Sequence, residues 1–325
     1  MKKRYTKLLE IISDGNVHSG EKLAKDLDVS RAAIWKSIRY LKTLGLEIEA
    51  IRGKGYCLDK KFEFLSSGHI RRMMSEGSKK SCQDIDIAFQ IKSTNLHLLN
   101  RLNHNSIHGS VVFAEYQSEG RGRRNKKWVS PIGSGICFSI GWHLEVMPIS
   151  LELLSLYMGI AAARSLDSIG IEKVGLKWPN DIIAGERKIG GILLDIKGES
   201  TGPLDIVVGV GINYELPKHP QLNIDQPITD ICSTIRERYS RNMISAILLS
   251  NIFEIFSDLK IGKNLDLINE WRKYDRYIGR KAVLILPNQK IIGLLKGVDD
   301  QGSLLMQVDG ELSSYRSGEV SLRMQ

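Results

Sequence analysis

The chain has 325 residues, about twice the length of a typical single domain, so two or three separately packed units are expected. Its 42% hydrophobic and 26% charged residues exclude a disordered chain, and with no run of about 18 apolar residues and a start, Met1-Lys2-Lys3-Arg4, leading into a stretch broken by Glu10, neither a membrane nor a secretory signal is indicated and a cytoplasmic location is expected. The net charge of +9 is uneven: residues 1–61 hold 14 Lys/Arg against 8 Asp/Glu, and the rest of the chain carries only +3, as a small nucleic-acid module ahead of a nearly neutral body would.

Tyr5 to Ile12 has apolar residues at helical spacing and is stopped by Asp14-Gly15-Asn16. Ser19 is a candidate N-cap for a second helix carrying Leu23 and Leu27, and Ser30 caps a third from Arg31 to Leu44 with an apolar stripe of Ile34, Ile38 and Leu41. Helix, tight turn and basic helix make a helix-turn-helix. The alternating Leu46 to Ile51, the turn Arg52-Gly53-Lys54-Gly55 and the return Tyr56-Cys57-Leu58 add a wing. A winged helix of this kind places Arg31, Ala32, Trp35, Lys36 and Arg39, with the cap residues Ser19 and Ser30, toward a major groove, and Arg52 and Lys54 toward phosphates. Use of the same fold for protein contacts is the alternative. From about Lys60 to Lys80, Ser- and Gly-bearing stretches surround one short apolar helix and read as a linker.

From Ile85 strands and helices alternate. Strands are expected at 85–89, 111–115, 135–142, 189–196 and 204–210, with helices at 94–103 and 151–169, giving one sizeable sheet with helices on it. Cys57, Cys82, Cys137 and Cys232 lie tens of residues apart, so neither a zinc site nor a disulfide framework is indicated. Between two strands lies Glu119-Gly120-Arg121-Gly122-Arg123-Arg124-Asn125-Lys126-Lys127-Trp128. Glycines let backbone N–H groups approach an anion and arginines supply paired donors, so the loop could fold over a nucleotide; a nucleic-acid patch or a solvated basic loop are the alternatives. It is not a Walker A sequence. Further on, Lys177-Trp178-Pro179-Asn180-Asp181 and Arg187-Lys188-Ile189-Gly190-Gly191 gather Lys, Asn and Asp around a hairpin, where Asp181 could help position a magnesium-bound nucleotide.

Those motifs, with Gly209-Val210-Gly211-Ile212-Asn213, occur in the order found in biotin–protein ligases, and the winged helix with Arg52-Gly53-Lys54-Gly55-Tyr56 resembles that of the bifunctional members that also repress biotin-synthesis operons. The resemblance spans essentially the whole chain. It implies an α+β multidomain architecture: a winged helix at 1–62, a linker at 63–82, a mixed α/β ligase domain with one main sheet at 83–274, and an SH3-like β-barrel at 275–325 built from short strands at 282–286, 291–295, 303–308 and 312–315. It further implies a biotin–[acetyl-CoA-carboxylase] ligase that makes biotinoyl-AMP from biotin and ATP and passes biotin to a lysine of a carboxyl carrier protein, a subunit of acetyl-CoA carboxylase.

By the same resemblance, Arg121, Arg123, Lys188 and Asp181 are catalytic. Ser93, Thr94, Asn95, Gln117, Gly120, Arg121, Arg123, Lys188 and Gly191 bind biotin, while Arg123, Trp128, Asn180, Asn213 and Arg323 serve the nucleotide. Magnesium is expected to come with ATP and not in a dedicated protein site. Operator DNA is the second partner, bound by a homodimer that forms when the adenylate orders residues 118–130; no membrane partner is expected. Two departures stand out: Gln117-Ser118-Glu119 where Gln-Thr is usual, and Asn125 where some members have glycine. Glu119 sets an anion beside the phosphate loop. The competing readings are a lipoate ligase of similar fold, opposed by the Arg-rich loop and the winged helix, and a biotin-sensing transcription factor without catalysis.

Overall fold

The computed structural model describes residues 2–58, 62–145, 149–198, 202–217, 226–260, 267–317 and 321–324. Lys60 and Lys61 of the basic N-terminal segment, and Gly318 to Val320 ahead of Arg323, lie outside them.

The N-terminal unit has helices α1 (Lys2–Ile12), α2 (Gly20–Asp26) and α3 (Arg31–Thr43), followed by the hairpin strands β1 (Ile48–Ile51) and β2 (Gly55–Leu58). Ser19 and Ser30 are the N-caps of α2 and α3, their hydroxyls accepting from the N–H of Lys22 (3.1 Å) and Ala33 (3.2 Å). Leu8, Leu9, Ile12, Leu23, Ile34, Ile38 and Leu41 close the core. The wing is tied to the turn before α2 by a pair of 2.9 Å backbone hydrogen bonds between His18 and Tyr56. That approach requires Gly55, at φ 142°, because a Cβ there would stand 2.0 Å from the His18 carbonyl oxygen.

The expected linker is instead packed structure. It holds α4 (Ser67–Met73) and α5 (Glu76–Ser81), both lying on α9 (Arg241–Lys260). Ile70, Met74, Ser78 and Cys82 are buried, and Ser75 N–H and Ser78 Oγ each donate to Ser250, at 3.0 Å. Two serines of this segment are caps: Ser66 accepts from His69 N–H and Ser75 from Ser78 N–H. Ahead of them the chain is clamped by Arg241. Its guanidinium pairs with Glu115 at 2.8 Å, both side chains 2% exposed, and donates to the carbonyls of Glu63 and Gly135, each at 2.9 Å. Glu115 in turn accepts from Leu65 N–H at 2.8 Å.

The central unit is a seven-stranded sheet in the order β3-β4-β5-β9-β8-β7-β6, made of β3 (Asp84–Ile91), β4 (Ser110–Gln117), β5 (Gly135–Leu144), β6 (Val174–Lys177), β7 (Asp181–Ala184), β8 (Arg187–Gly198) and β9 (Leu204–Asn213). Only the β3–β4 pair is parallel. Helix α6 (Thr94–Arg101) lies on β4, β5 and β9, with a small core of Leu98, Ile107, Val112 and Val207. Helices α7 (Leu151–Ser168) and α9 pack together over the main core, with α8 (Ile231–Thr234) and α10 (Leu267–Tyr274) at its margin. No amphipathic stripe marks α9, because its apolar residues are buried around most of its circumference. By length and composition α9 could cross a membrane, but 61% of its apolar window is buried, as in a core helix.

The C-terminal unit is a five-stranded antiparallel sheet in the order β13-β12-β11-β10-β14. Its strands are β10 (Lys281–Ile285), β11 (Lys290–Val298), β12 (Leu304–Val308), β13 (Glu311–Tyr315) and β14 (Ser321–Met324). The last strand, unmarked by alternation, pairs with β10 and sets Arg323 opposite Val283. At the junction with the central unit, Asp275 bridges Leu176 and accepts from Tyr277 N–H at 2.9 Å. Burial pushes its carboxyl from 3.8 up to about 6, against the pull of the Tyr277 and Ile278 N–H groups. Since the folded value is the higher one, the protonated acid carries no penalty below about pH 4, and stability is lost as pH rises through about 6. Asp275→Asn, which keeps an acceptor oxygen and drops the charge, is expected to raise the unfolding free energy by up to about 3 kcal/mol near pH 7.5 and far less near pH 4. Denaturant melts at the two pH values check this, and an equal gain at both would refute the charge explanation.

Candidate active site

The motifs converge on a cavity of about 680 Å³ at one end of the central sheet. One end of it is neutral and polar. Ser93 caps α6, so Ser93, Thr94 and Asn95 present the helix N-terminus to the cavity, all three buried. Gln117, the last residue of β4, accepts at Oε1 from Thr94 N–H (2.8 Å) and Thr94 Oγ1 (3.2 Å). Beneath them Ser139 of β5 donates to Asn95 Oδ1 at 2.5 Å and lies 2.6 Å from Thr94 Oγ1. Asn95 Nδ2 donates to Asp195 of β8 at 2.8 Å, and the same carboxylate meets Arg121 at 3.4 Å. Such a fixed set of donors and acceptors suits a small, uncharged polar head group.

Toward the other end the lining turns cationic. Arg121, Arg123, Arg124, Lys126, Lys127, Lys177, Lys188 and Arg323 all reach the cavity, and Asp181 is the one carboxylate among the lining residues. Lys188, near the start of β8, pairs with Asp181 of β7 and stands 5.7 Å from the centroid of the Trp128 ring. Arg123 donates to the Ser317 carbonyl of the C-terminal unit. Burial holds its guanidinium below the ordinary arginine value, with Asp181 opposing the shift and Arg124 adding to it. Asn180 donates to the Ile192 carbonyl at 2.5 Å, and Asn213, at the end of β9, to the Thr229 carbonyl at 2.9 Å.

The glycine-arginine loop closes on itself. Gly122 N–H donates to the Lys126 carbonyl (2.7 Å) and Trp128 N–H to the Gly120 carbonyl (2.9 Å), around one 3₁₀ turn at Arg123–Asn125. Arg124 and Asn125 have φ of 53° and 57°, so an asparagine or glycine at 125 fits the left-handed backbone there. Gly120 stands behind the lining and does not form it: a Cβ there would come 2.3 Å from the Trp128 carbonyl oxygen. Glu119 turns away from the cavity and pairs with Lys92 at 3.0 Å, so the anion beside the loop is neutralised outside it.

The remaining expected biotin and nucleotide residues, Gly191 and Arg323 included, line the cavity. The sequence reading left out Ser139 and Asp195, and it quoted Lys177, Gly209 and Gly211 without assigning them a role of their own. A Cβ at Gly209 would stand 2.1 Å from Asn95 Oδ1, and one at Gly211 2.6 Å from Trp128 Cε2. Asp195 was detectable as a lone carboxylate in the apolar run Ile192 to Ile196; nothing local marks Ser139.

On the N-terminal unit, Arg31, Ala32, Trp35, Lys36 and Arg39 all lie on the exposed face of α3, and Arg52 and Lys54 are exposed at the wing tip. The Arg39 guanidinium sits 4.8 Å from the Trp35 ring centroid, and Trp35 is 49% exposed. Ser19 and Ser30 are engaged as caps at the helix starts.

Three family models match the chain: HTH domain over 4–57, biotin/lipoate A/B protein ligase family over 87–213, and biotin protein ligase C terminal domain over 277–323. The chain is 36% identical over 322 residues to the bifunctional ligase/repressor BirA of Salmonella typhimurium, covering 97% of this chain and 96% of that protein. Identity to the Escherichia coli protein of the same name is 35% over 323 residues, with 98% and 96% covered. Among solved structures, the biotin protein ligase of Aquifex aeolicus in complex with biotin and ATP superposes with a TM-score of 0.64 at 26% identity, over 75% of this chain and all of that one. Full-length identity at this level, with the helix-turn-helix, ligase and C-terminal domains in the same order, means that the chain belongs to the family of bifunctional biotin–protein ligases and repressors.

Proposed function

We infer that this protein is an ATP-dependent biotin–carboxyl-carrier ligase that also represses transcription in response to its own intermediate. The observation that carries the reading is one continuous cavity with a neutral hydrogen-bonding end and a cationic end, in a chain whose full-length relatives are bifunctional ligase/repressors. Ser93, Thr94, Asn95 and Gln117 would hold the biotin head group, with its carboxylate directed toward Arg121, Arg123 and Lys188. That carboxylate attacks the α-phosphorus, the bond to the β-phosphate oxygen breaks, and pyrophosphate leaves. Charge grows on the phosphate oxygens in the transition state, so fixed cations lower the barrier there more than they stabilise the ground state. Trp128, Asn180, Asn213 and Arg323 would take the nucleotide. In the second step a lysine amine of the carrier attacks the anhydride carbonyl carbon and AMP departs. Asp181 is the protein oxygen donor suited to face a magnesium ion carried in by ATP, and magnesium would supply further neutralisation of phosphate charge.

Repression adds three proposed elements: operator DNA read by α3 and the wing, a homodimer formed when the adenylate is bound, and a cytoplasmic location where carrier and operator are both within reach. Two features support the coupling. The chain leaving the loop at Trp128 runs within four residues to Ile132, whose side chain is buried in the winged-helix core and whose N–H donates to the Leu44 carbonyl at 2.9 Å. Beyond Ile192, whose N–H and carbonyl are bonded to Asn180, the β7-facing edge of β8 has no strand partner among the described pairings and is available to a second copy.

The decisive measurement is mass-spectrometric labelling of a biotin-carrier domain with biotin, ATP and magnesium. One biotin on one lysine, and none with lipoate, is expected; lipoate labelling alone would overturn the biotin assignment. Gly211→Ala should unseat Trp128 and weaken biotinoyl-AMP binding about tenfold or more, as read by calorimetry, and unchanged affinity would show that the indole does not need that seat. Gel shift and sedimentation with and without the adenylate should show dimer and operator complex rising together, and no change in either would end the repressor coupling.

A further inference from the structure

The outward side of α3 carries an indole that the winged-helix core does not use. Ile34, Ser37, Ile38 and Leu41 are buried on the inner side, whereas Arg31, Trp35 and Arg39, each four residues from the next, form one exposed ridge. The Arg39 guanidinium lies 4.8 Å from the centroid of the Trp35 ring. Among the described residues that guanidinium has no hydrogen bond and no ion pair, so its N–H donors are held in place by the ring and left unspent. Helix α3 carries four Lys/Arg and no Asp or Glu, and Arg52 and Lys54 stand exposed on the wing, so the charge of this side suits a polyanion. Its far end is fixed to the central unit: Tyr40 donates to Gln90 of β3 at 2.6 Å, and the Leu44 carbonyl accepts from Ile132 N–H at 2.9 Å. The ridge is thus presented on a helix that cannot roll freely.

We propose that Trp35 and Arg39 act as one base-reading unit: Arg39 donates to both N7 and O6 of a guanine, and the Trp35 indole packs on the methyl group of a thymine in the neighbouring base pair. The repressor reading, on which this inference rests, places α3 in a major groove but leaves open what it reads there. Lysines and arginines that meet phosphates bind every sequence alike. An indole gains little from phosphates, and the one methyl group that base pairs offer in the major groove is that of thymine. A planar guanidinium matches the two acceptors of guanine. With Arg39 in the plane of that guanine, a ring stacked on it lies one layer away, at the level of the next base pair, since base pairs are themselves stacked about 3.4 Å apart. The stack also fixes the guanidinium before DNA arrives, so less rotamer freedom is lost on binding. In a two-fold symmetric dimer the same step recurs in both halves of the operator.

The test begins with full-length protein, loaded with biotinoyl-AMP, selecting from a pool of random-sequence duplexes. The recovered site is expected to be two-fold symmetric, with a guanine beside a thymine-adenine pair in each half. Uracil in place of that thymine removes only the methyl group and should weaken wild-type binding about fourfold per half-site, while Trp35→Ala should bind the thymine and uracil duplexes equally. In place of the guanine, 7-deazaguanine removes the N7 acceptor and should cost the wild type about tenfold or more and Arg39→Ala little. Arg39→Gln should turn the preferred base at that position from guanine to adenine. A selected site without that guanine and thymine, or a uracil effect of the same size in wild type and Trp35→Ala, would overturn the base-reading unit. Wild-type protein that recovers no sequence from the pool would instead overturn the repressor reading beneath it.

Discussion

The ion pair between Arg241 and Glu115 holds the parts of this protein in register. Arg241 opens α9, and its guanidinium reaches the Glu63 carbonyl in the segment leaving the winged helix, the Glu115 carboxylate on β4, and the Gly135 carbonyl where β5 begins. Its own N–H donates to Glu63 Oε2 at 2.7 Å, so the helix start and the connecting segment fix each other. Asn242 extends the clamp by donating to Glu63 Oε1 (2.6 Å) and the Phe64 carbonyl (2.9 Å). A buried pair is weak evidence for net stability, but losing one partner strands a charge at a cost of about 3–5 kcal/mol, which makes the arrangement hard to change piecemeal. Gln117 of the cavity lies two residues along β4 from Glu115, so both face the same side of that strand.

The cavity is divided by electrostatics. At its neutral end side chains hold one another: Gln117 by Thr94, Thr94 and Asn95 by Ser139, Asn95 by Asp195. Preorganisation of this kind spares a ligand the cost of ordering its own partners. At the cationic end, by contrast, positive side chains outnumber the carboxylate available to them, an arrangement that disfavours the empty state and favours a polyanion. Glycines at 209 and 211 keep the floor low enough for Asn95 and Trp128 to lie flat on it.

Both end domains pack on the central unit, the C-terminal one at the cavity itself. Trp178, beside Lys177, donates from Nε1 to the Gly302 carbonyl of the C-terminal unit at 3.1 Å, and Arg323 enters from the last strand. On the other side Tyr40 of α3 donates to Gln90 of β3 at 2.6 Å, and Gly45, at φ 95°, lets the helix-turn-helix lie against Pro131, whose Cβ would be 2.5 Å from any side chain placed there. A ligand that fixes the loop before Trp128 therefore acts on a segment already built into the DNA-binding unit, and binding energy at one site can bias the placement of the other.

The sequence alone determined the local elements and the chemistry. Helix caps at Ser19 and Ser30, the wing, most strands and the glycine-arginine loop are legible because each is set by residues within a few positions of one another, and the motif order marked the ligase and its winged helix. Tertiary structure decided what depends on partners distant in the chain. Ser66 and Ser75 read as linker residues until α9 packs over them; α9 has no periodic stripe because it is buried nearly all round; β14 is too short to show alternation and exists by pairing with β10. Ser139 and Asp195 join the site only through the sheet order that brings β5 and β8 beneath Thr94 and Asn95. Local spacing encodes which groups are present, whereas strand order, a property of the whole core, encodes which of them meet.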